Sequence, residues 1–413
     1  MDLYALAAAL AAHPSIRSKL DIAATTRALS LSSGTPGMPG DDAAAIPALD
    51  GTWDLLAGEG FMPQFVQDDP WFAGWCGVMV NLSDIAAMGG RATALLDAVW
   101  APDAASAEPL LSGLRDAAMA YGVPIVGGHT NLRSPELNLA VSVTGRANRL
   151  ISSFAAMPGD ALIAAIDHRG QYRPRFDNWC AALDAPHERL RGDYELLPEL
   201  ADAGLVDAGK DISQGGIVGT ALMLAESSRC GFEIELADIP LPEGVAVDRW
   251  LRSFPSFGFL LSVRPELADE VCGVFAARGI SAAAIGHATD SSRIDLTSDG
   301  TRASFWDYAA APYIALARRS PMPEVRFTIR WPDGTEESCY SPSTAITRHL
   351  EAGCTYPLTE FVERARTGLN EASDRVAAKF GFACSSALDQ LAQIEATANN
   401  QPADSQVTCL SMS

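Results

Sequence analysis

Pro39-Gly40-Asp41-Asp42-Ala43-Ala44-Ala45 sets two adjacent carboxylates directly behind a glycine-rich run. Neighbouring Asp side chains repel each other and are too short to pair with distant cations. A divalent metal or a metal-bound phosphate is therefore their natural partner. By itself, a lone Gly-Asp-Asp is better explained as an exposed acidic turn with Gly40 at positive φ. The rest of the chain decides between the two.

Upstream, residues 30–40 (Ser-Leu-Ser-Ser-Gly-Thr-Pro-Gly-Met-Pro-Gly) form a loop by composition. The Ala-rich residues 3–12 read as an amphipathic opening helix. With Asp2 and no preceding Lys or Arg they do not fit a signal sequence, and the uncharged run ending at Ile16 is too short to span a bilayer. Downstream, residues 52–57 predict a strand ending at Gly58-Glu59-Gly60, which places a further acid at a strand's end. Residues 70–90 space Trp71, Trp75, Val78, Met79, Leu82, Ile85 and Met88 helically, with Gly89-Gly90 as the stop. Within that helix Asn81 and Asp84 share one face, either to address one ligand or as a solvated polar pair.

A strand at 94–100, a helix at 104–121, a strand at 123–126, the loop Gly127-Gly128-His129-Thr130-Asn131 and a strand at 137–144 follow. The order β-α-β-α-β-β describes an α/β or α+β domain closing near residue 148. His129 after two glycines can approach a phosphate closely, although a lone His is more often structural.

A second domain, 149–318, opens with a buried strand at 160–167 and continues with a helix at 196–205. Residues 204–211 nearly spell the phosphate loop Gly-x4-Gly-Lys-Ser/Thr. They end on Asp211 where a hydroxyl is needed, and no apolar strand feeds them, so that reading fails. Asp211-Ile212-Ser213-Gln214-Gly215-Gly216 then leads into a helix at 217–227, an anion-tolerant corner in which Asp211 also suits a plain N-cap. Strand 257–263, helix 265–278 and strand 282–287 complete the domain.

Ser320-Pro321-Met322-Pro323 is a joint to a small unit, 322–396. There Val325, Phe327, Ile329 and Trp331 alternate with polar residues, Pro332-Asp333-Gly334 turns, and 336–340 returns as a β-hairpin. A helix from Thr359 ends at Gly381, and residues 397–413 read as a frayed, disordered tail.

With 51 Asp and Glu against 30 Lys and Arg, a net charge of −21 excludes nucleic acid and anionic membrane as main partners. A nucleotide held through magnesium remains open. The eight cysteines stand singly, which argues for a reducing cytoplasm and against a zinc site or disulfide framework.

Five motifs occur together and in order: Gly40-Asp41-Asp42-Ala43-Ala44, the acid Glu59, Asn81-Leu82-Ser83-Asp84, Gly127-Gly128-His129-Thr130 and Asp211-Ile212-Ser213-Gln214-Gly215-Gly216. In that order they resemble the aminoimidazole ribonucleotide (AIR) synthetase superfamily, which includes thiamine-monophosphate kinase and selenophosphate synthetase. Residues 322–396 resemble a small family linked with nitrogen starvation. The resemblance implies a two-domain AIR-synthetase-like fold, a homodimer formed through the N-terminal sheets, and ATP held with Mg2+. By position, Asp41, Asp42, Glu59, Asp84 and Asp211 would face metal. Gly40, Asn81, Gly127, Gly128, Ser213, Gln214 and Gly215 would assist the nucleotide, and Asp42, His129 and Asp211 would act in catalysis. The implied activity is phosphoryl transfer to a small nitrogen-containing metabolite. A small-molecule kinase and a non-catalytic nucleotide sensor, with a protein partner at 322–396, are the alternatives. His129 and Gln214 stand where the kinase branch carries Asp, which leaves the acceptor open.

Overall fold

The structure is a computed structural model and describes residues 2–31, 35, 37–316, 325–380, 385–402 and 404–412. It divides into two compact units, 1–318 and 319–413. The expected joint at Ser320-Pro321-Met322-Pro323 and the helix stop at Gly381 lie outside the described residues.

The first unit carries two sheets. One has five strands in the order Ala44–Pro47, Trp53–Gly60, Asn138–Ala147, Arg91–Trp100, Ile125–Asn131. Its inward side chains, among them Leu55, Leu95, Leu139 and Val141, pack in one core with residues of the helices Pro70–Ala87 and Ala104–Tyr121. Those two helices cross at glycine contacts. A Cβ on Gly113 would lie 1.9 Å from the Trp71 carbonyl oxygen and one on Gly74 2.1 Å from that of Leu110, so backbone packs directly on backbone. Pro70–Ala87 is buried almost all round, which explains why apolar residues and glycines fill it without a polar stripe. Residues 127–131, expected as a loop, instead belong to the edge strand Ile125–Asn131, paired in parallel with Arg91–Trp100. The outward positions Ile46, Leu56, Leu96 and Val126 leave apolar side chains exposed.

The second sheet has seven strands in the order Thr301–Asp307, Arg293–Ser298, Gly231–Glu235, Ser281–Thr289, Ala161–Ile166, Gly258–Val263, Ala208–Asp211. Four of these had no clear sequence signal, because short mixed runs such as Arg293–Ser298 gain their strand character from pairing. The opening helix Leu3–Ala12 forms as expected, with Asp2 accepting from the Tyr4 and Ala5 amides. It buries Leu3, Leu6 and Leu10 in the core of this second domain, beside Phe305 and Tyr313. Behind the last strand, the buried Glu226 carboxylate accepts from the amides of Tyr313, Ile314 and Ala315 at 2.7–3.2 Å and fastens that segment down.

The second unit holds the expected hairpin, Val325–Arg330 paired with Glu336–Ser341. The expected disordered tail is corrected: Gln406–Met412 is a strand between Val325–Arg330 and Thr355–Pro357. Val407 and Cys409 alternate inward there, a period-two pattern too short and too polar to read in isolation. Among the described residues no helix is long and apolar enough to cross a membrane.

Glu226→Ala removes a charged acceptor from three amides, so urea unfolding should show a loss of about 3 kcal/mol. A change below about 0.5 kcal/mol would contradict this anchoring role.

Candidate functional site

The Gly-Asp-Asp loop meets the second domain along the strand Ala208–Asp211, and the two aspartates part company there. Asp41 turns aside: its Oδ2 accepts from Ser152 Oγ at 2.6 Å and its Oδ1 from the Ser153 amide at 2.5 Å. Burial lifts its carboxyl to about 6, against the lowering pull of those donors. Both its oxygens hold the loop against residues 152–153, and it is not one of the three carboxylates, Asp42, Asp84 and Asp211, that lie close together. Gly40, at φ 119°, permits this approach, since a Cβ would lie 2.9 Å from the Phe154 ring.

Asp42 turns the other way. Its Oδ1 is in close contact with Lys210 Nζ, and its Oδ2 accepts from the Asp211 amide at 3.2 Å. The two side chains are 5% and 7% exposed, so this is a buried ion pair. Asp84 comes from the buried helix Pro70–Ala87, and Asp211 ends the strand Ala208–Asp211. One carboxylate oxygen from each of Asp42, Asp84 and Asp211 lies within 4.8 Å of the others. Burial and mutual repulsion raise Asp84 well above the ordinary carboxylate range, and burial with Asp42 raises Asp211 to about 8. Lys210 is held charged by Asp42 and Asp211, which outweigh its burial.

These groups suit a divalent cation. All are hard oxygen donors, Asp211 Oδ2 is buried without a hydrogen-bond partner, and one ammonium cannot keep three carboxylates ionised, so Asp84 and Asp211 hold protons that a divalent cation would displace. The cluster opens on a cleft of about 640 Å³. Gly40, Asp41, Asp42, Glu59, Asp84, Asp211, Ser213 and Gln214 line it. Glu59 is at its surface, outside the close triad, and is raised by enclosure and by Asp42 against the pull of Lys19.

Other expectations divide. Asn81 is fully buried behind the cluster, donates to the Gly77 carbonyl at 2.7 Å and leaves Oδ1 unpaired, so the solvated-pair alternative fails. Asp211 does not cap the following helix: Gly215, at φ 109°, occupies the N-cap of Gly216–Ser228. Gly127, Gly128 and His129 sit on the exposed edge strand and do not line the cleft. Gly128 has a packing reason instead, because a Cβ there would fall 2.4 Å from Asp97 Oδ1.

Sequence reasoning missed Lys210, although it stood beside Asp211 in the rejected phosphate-loop match. It also missed His13, Lys19, Arg175 and Arg252, cleft residues that packing brings from remote segments.

Comparison with known proteins agrees with this architecture. Residues 40–147 match the AIR synthase related protein N-terminal domain, 184–299 its C-terminal domain, and 326–412 the nitrogen starvation-induced protein NitG. An uncharacterized protein of Synechocystis sp. is 47% identical over 274 residues, 66% of this chain and 85% of the relative. Thiamine-monophosphate kinase of Halobacterium salinarum is 28% identical over 288 residues, covering 67% of this chain and 94% of the kinase. The T. maritima PurL structure complexed with ATP superposes with a TM-score of 0.56 at 17% identity, over 68% of this chain and 47% of PurL. The chain thus spans about half the length of that protein. Fold and cluster define a two-domain AIR-synthase architecture, and the chain belongs to the AIR synthase related family, with a NitG domain at its C-terminal end.

In metal-free protein, the neutral forms of Asp41 and Asp211 stabilise the fold below the ordinary carboxylate range. That contribution is lost as pH rises through about 6 and about 8. Thermal denaturation should therefore give a Tm that falls across this window, with excess Mg2+ restoring much of the loss. A Tm that rises across the window, or ignores Mg2+, would contradict the assignment.

Proposed function

We propose that this chain is an ATP- and Mg2+-dependent phosphoryl-transfer enzyme acting on a small nitrogen-containing metabolite. The observation that carries the reading is the buried Asp42, Asp84 and Asp211 cluster opening on a cleft. Such transfer needs charge neutralisation and positioning more than a covalent catalyst. The kinship with thiamine-monophosphate kinase and the ATP complex of PurL support the cosubstrate. The NitG domain favours an acceptor from nitrogen metabolism.

Asp42, Asp84 and Asp211 are the side chains that would hold Mg2+, which when bound neutralises phosphate charge while ATP supplies the phosphoryl group. Lys210 fixes Asp42 and keeps its own ammonium charged next to the phosphate path. Ser213 and Gln214 offer a hydroxyl and an amide where the chain turns toward the helix Gly216–Ser228. Cys76, Val80, Phe254 and Met223 give the cleft an apolar lining that limits competing water. The exposed Ile46, Leu56, Leu96 and Val126 support a homodimer through the five-stranded sheet.

Asp84→Asn and Asp42→Asn should each weaken Mg-ATP binding at least ten-fold by calorimetry, and binding unchanged in both would end this reading. A metabolite screen for ADP release should find one acceptor. A stable phosphorylated product identifies a simple kinase, phosphate release an activated intermediate, and tight ATP binding without turnover a nucleotide sensor.

A further inference from the structure

One wall of the cleft is a short hairpin rather than part of either core. Gln171–Tyr172 pairs antiparallel with Asn178–Cys180, which pairs in parallel with Phe254–Pro255, and each pairing is only two residues long. The base of the hairpin is fixed. Trp179 is buried there, donates from Nε1 to the Asp167 carbonyl at 3.0 Å and packs edge-on against Tyr172 and Trp250. The tip is held differently: residues 173–178 contribute no fully buried side chain, and Pro174 and Arg175 are exposed. Yet Arg175, Phe176, Asp177 and Asn178 all line the cleft.

The tip reaches across to the first domain. Arg173 donates to Asp69 Oδ2 from Nε at 3.0 Å and from Nη2 at 2.6 Å, with its guanidinium 4.7 Å from the centre of the Phe72 ring. Phe176 meets Phe65 edge to face, ring centroids 5.0 Å apart at 78°. On the other side Asp177 pairs with Arg249 and Arg252 of the second domain. The Arg173 and Asp69 side chains are 29% and 24% exposed, so water reaches the pair and it can part without stranding a charge in a dry core. Asp69 is also the N-cap of Pro70–Ala87, accepting from the Phe72 amide at 3.3 Å, so this contact ends on the helix that carries Asp84.

We propose that the hairpin Gln171–Cys180 is a strap over the cleft, latched to the first domain by Arg173 on Asp69, which pivots on its buried base at Trp179 to admit and release ligands. A packed base with a tip held by solvent-reached contacts is the arrangement that opens locally while the rest stays folded. This rests on the reading of the cleft as the ligand site, and adds how that site is reached.

Cys76 on Pro70–Ala87 reports the opening, because its thiol lines the cleft at 3% exposure and stands close enough to the latch to feel both Asp69 and Arg173. The full chain without nucleotide is treated with iodoacetamide, and peptide mass spectrometry reads the labelling rate at each cysteine. Arg173→Gln and Asp69→Asn should each speed labelling of Cys76 about five-fold or more. Cys230, fully buried in the core of the second domain, should keep its wild-type rate. Asn is as good an N-cap as Asp, so the helix start survives the second substitution. Charge alone acts otherwise. Burial, Cys180 and Asp69 keep the Cys76 thiol protonated while Arg173 opposes them, so losing Arg173 would slow labelling and losing Asp69 would speed it. A rise in only one variant, or in neither, would overturn the strap. So would Cys230 labelling that rises in step with Cys76, since the opening would then be global. With no nucleotide present, the strap can fail while Mg-ATP binding stands, and Mg-ATP binding can fail while the strap stands.

Discussion

A single buried ammonium organises the centre of this protein. Lys210 reaches from a strand of the second domain to Asp42 in the first, and almost no water reaches either side chain. Removing one member of such a pair typically costs about 3–5 kcal/mol, because the other charge is left buried and alone. The pair therefore ties the two domains together. Around it Asp84 and Asp211 add carboxyl groups that Lys210 alone cannot keep ionised, and the fold buries both. Packing alone would favour apolar residues at all three positions. Their carboxylates make sense as a site kept ready for a cation, with stability given up to hold it.

The scaffold makes that arrangement rigid. Pro70–Ala87 is wedged against Ala104–Tyr121 by backbone contact at Gly74 and Gly113, which fixes the height of Asp84. Asp41 locks the preceding loop to Ser152 and Ser153, so Asp42 has little freedom to swing. The adjacent aspartates thus divide labour: both line the cleft, but Asp41 clasps residues 152–153 while Asp42 joins Lys210 and the carboxylate cluster.

Much of this was legible in the sequence. Helical spacing marked Pro70–Ala87 and Ala104–Tyr121, and the order of the acidic motifs pointed to the fold and to Asp42, Asp84 and Asp211. What stayed hidden depends on partners distant in the chain. The edge strand Ile125–Asn131 looked like a loop because its glycines are poor strand formers, and parallel pairing overrides that preference. Gln406–Met412 became a strand only because a sheet elsewhere had room for it. Lys210 looked like the failed end of a motif, since nothing local announces that a lysine will be buried opposite a carboxylate 168 positions away. His13, Lys19, Arg175 and Arg252 share a cleft through packing, which no short window of sequence records.

Leu3, Leu6, Leu10 and Ile16 pack with the second domain, and Tyr313 donates to the Ile16 carbonyl at 2.8 Å. Residues 3–16 thus pack with the second domain, the chain then crosses to build the five-stranded domain, and it returns after residue 147. In topology the five-stranded domain lies between two segments of the other. A recombination event that exchanged it whole would leave His13 and Lys19 behind with the old host. Since both line the cleft, a transplanted domain would inherit a foreign wall opposite its own Asp42 and Asp84, and a new specificity could arise from one crossover without a point mutation.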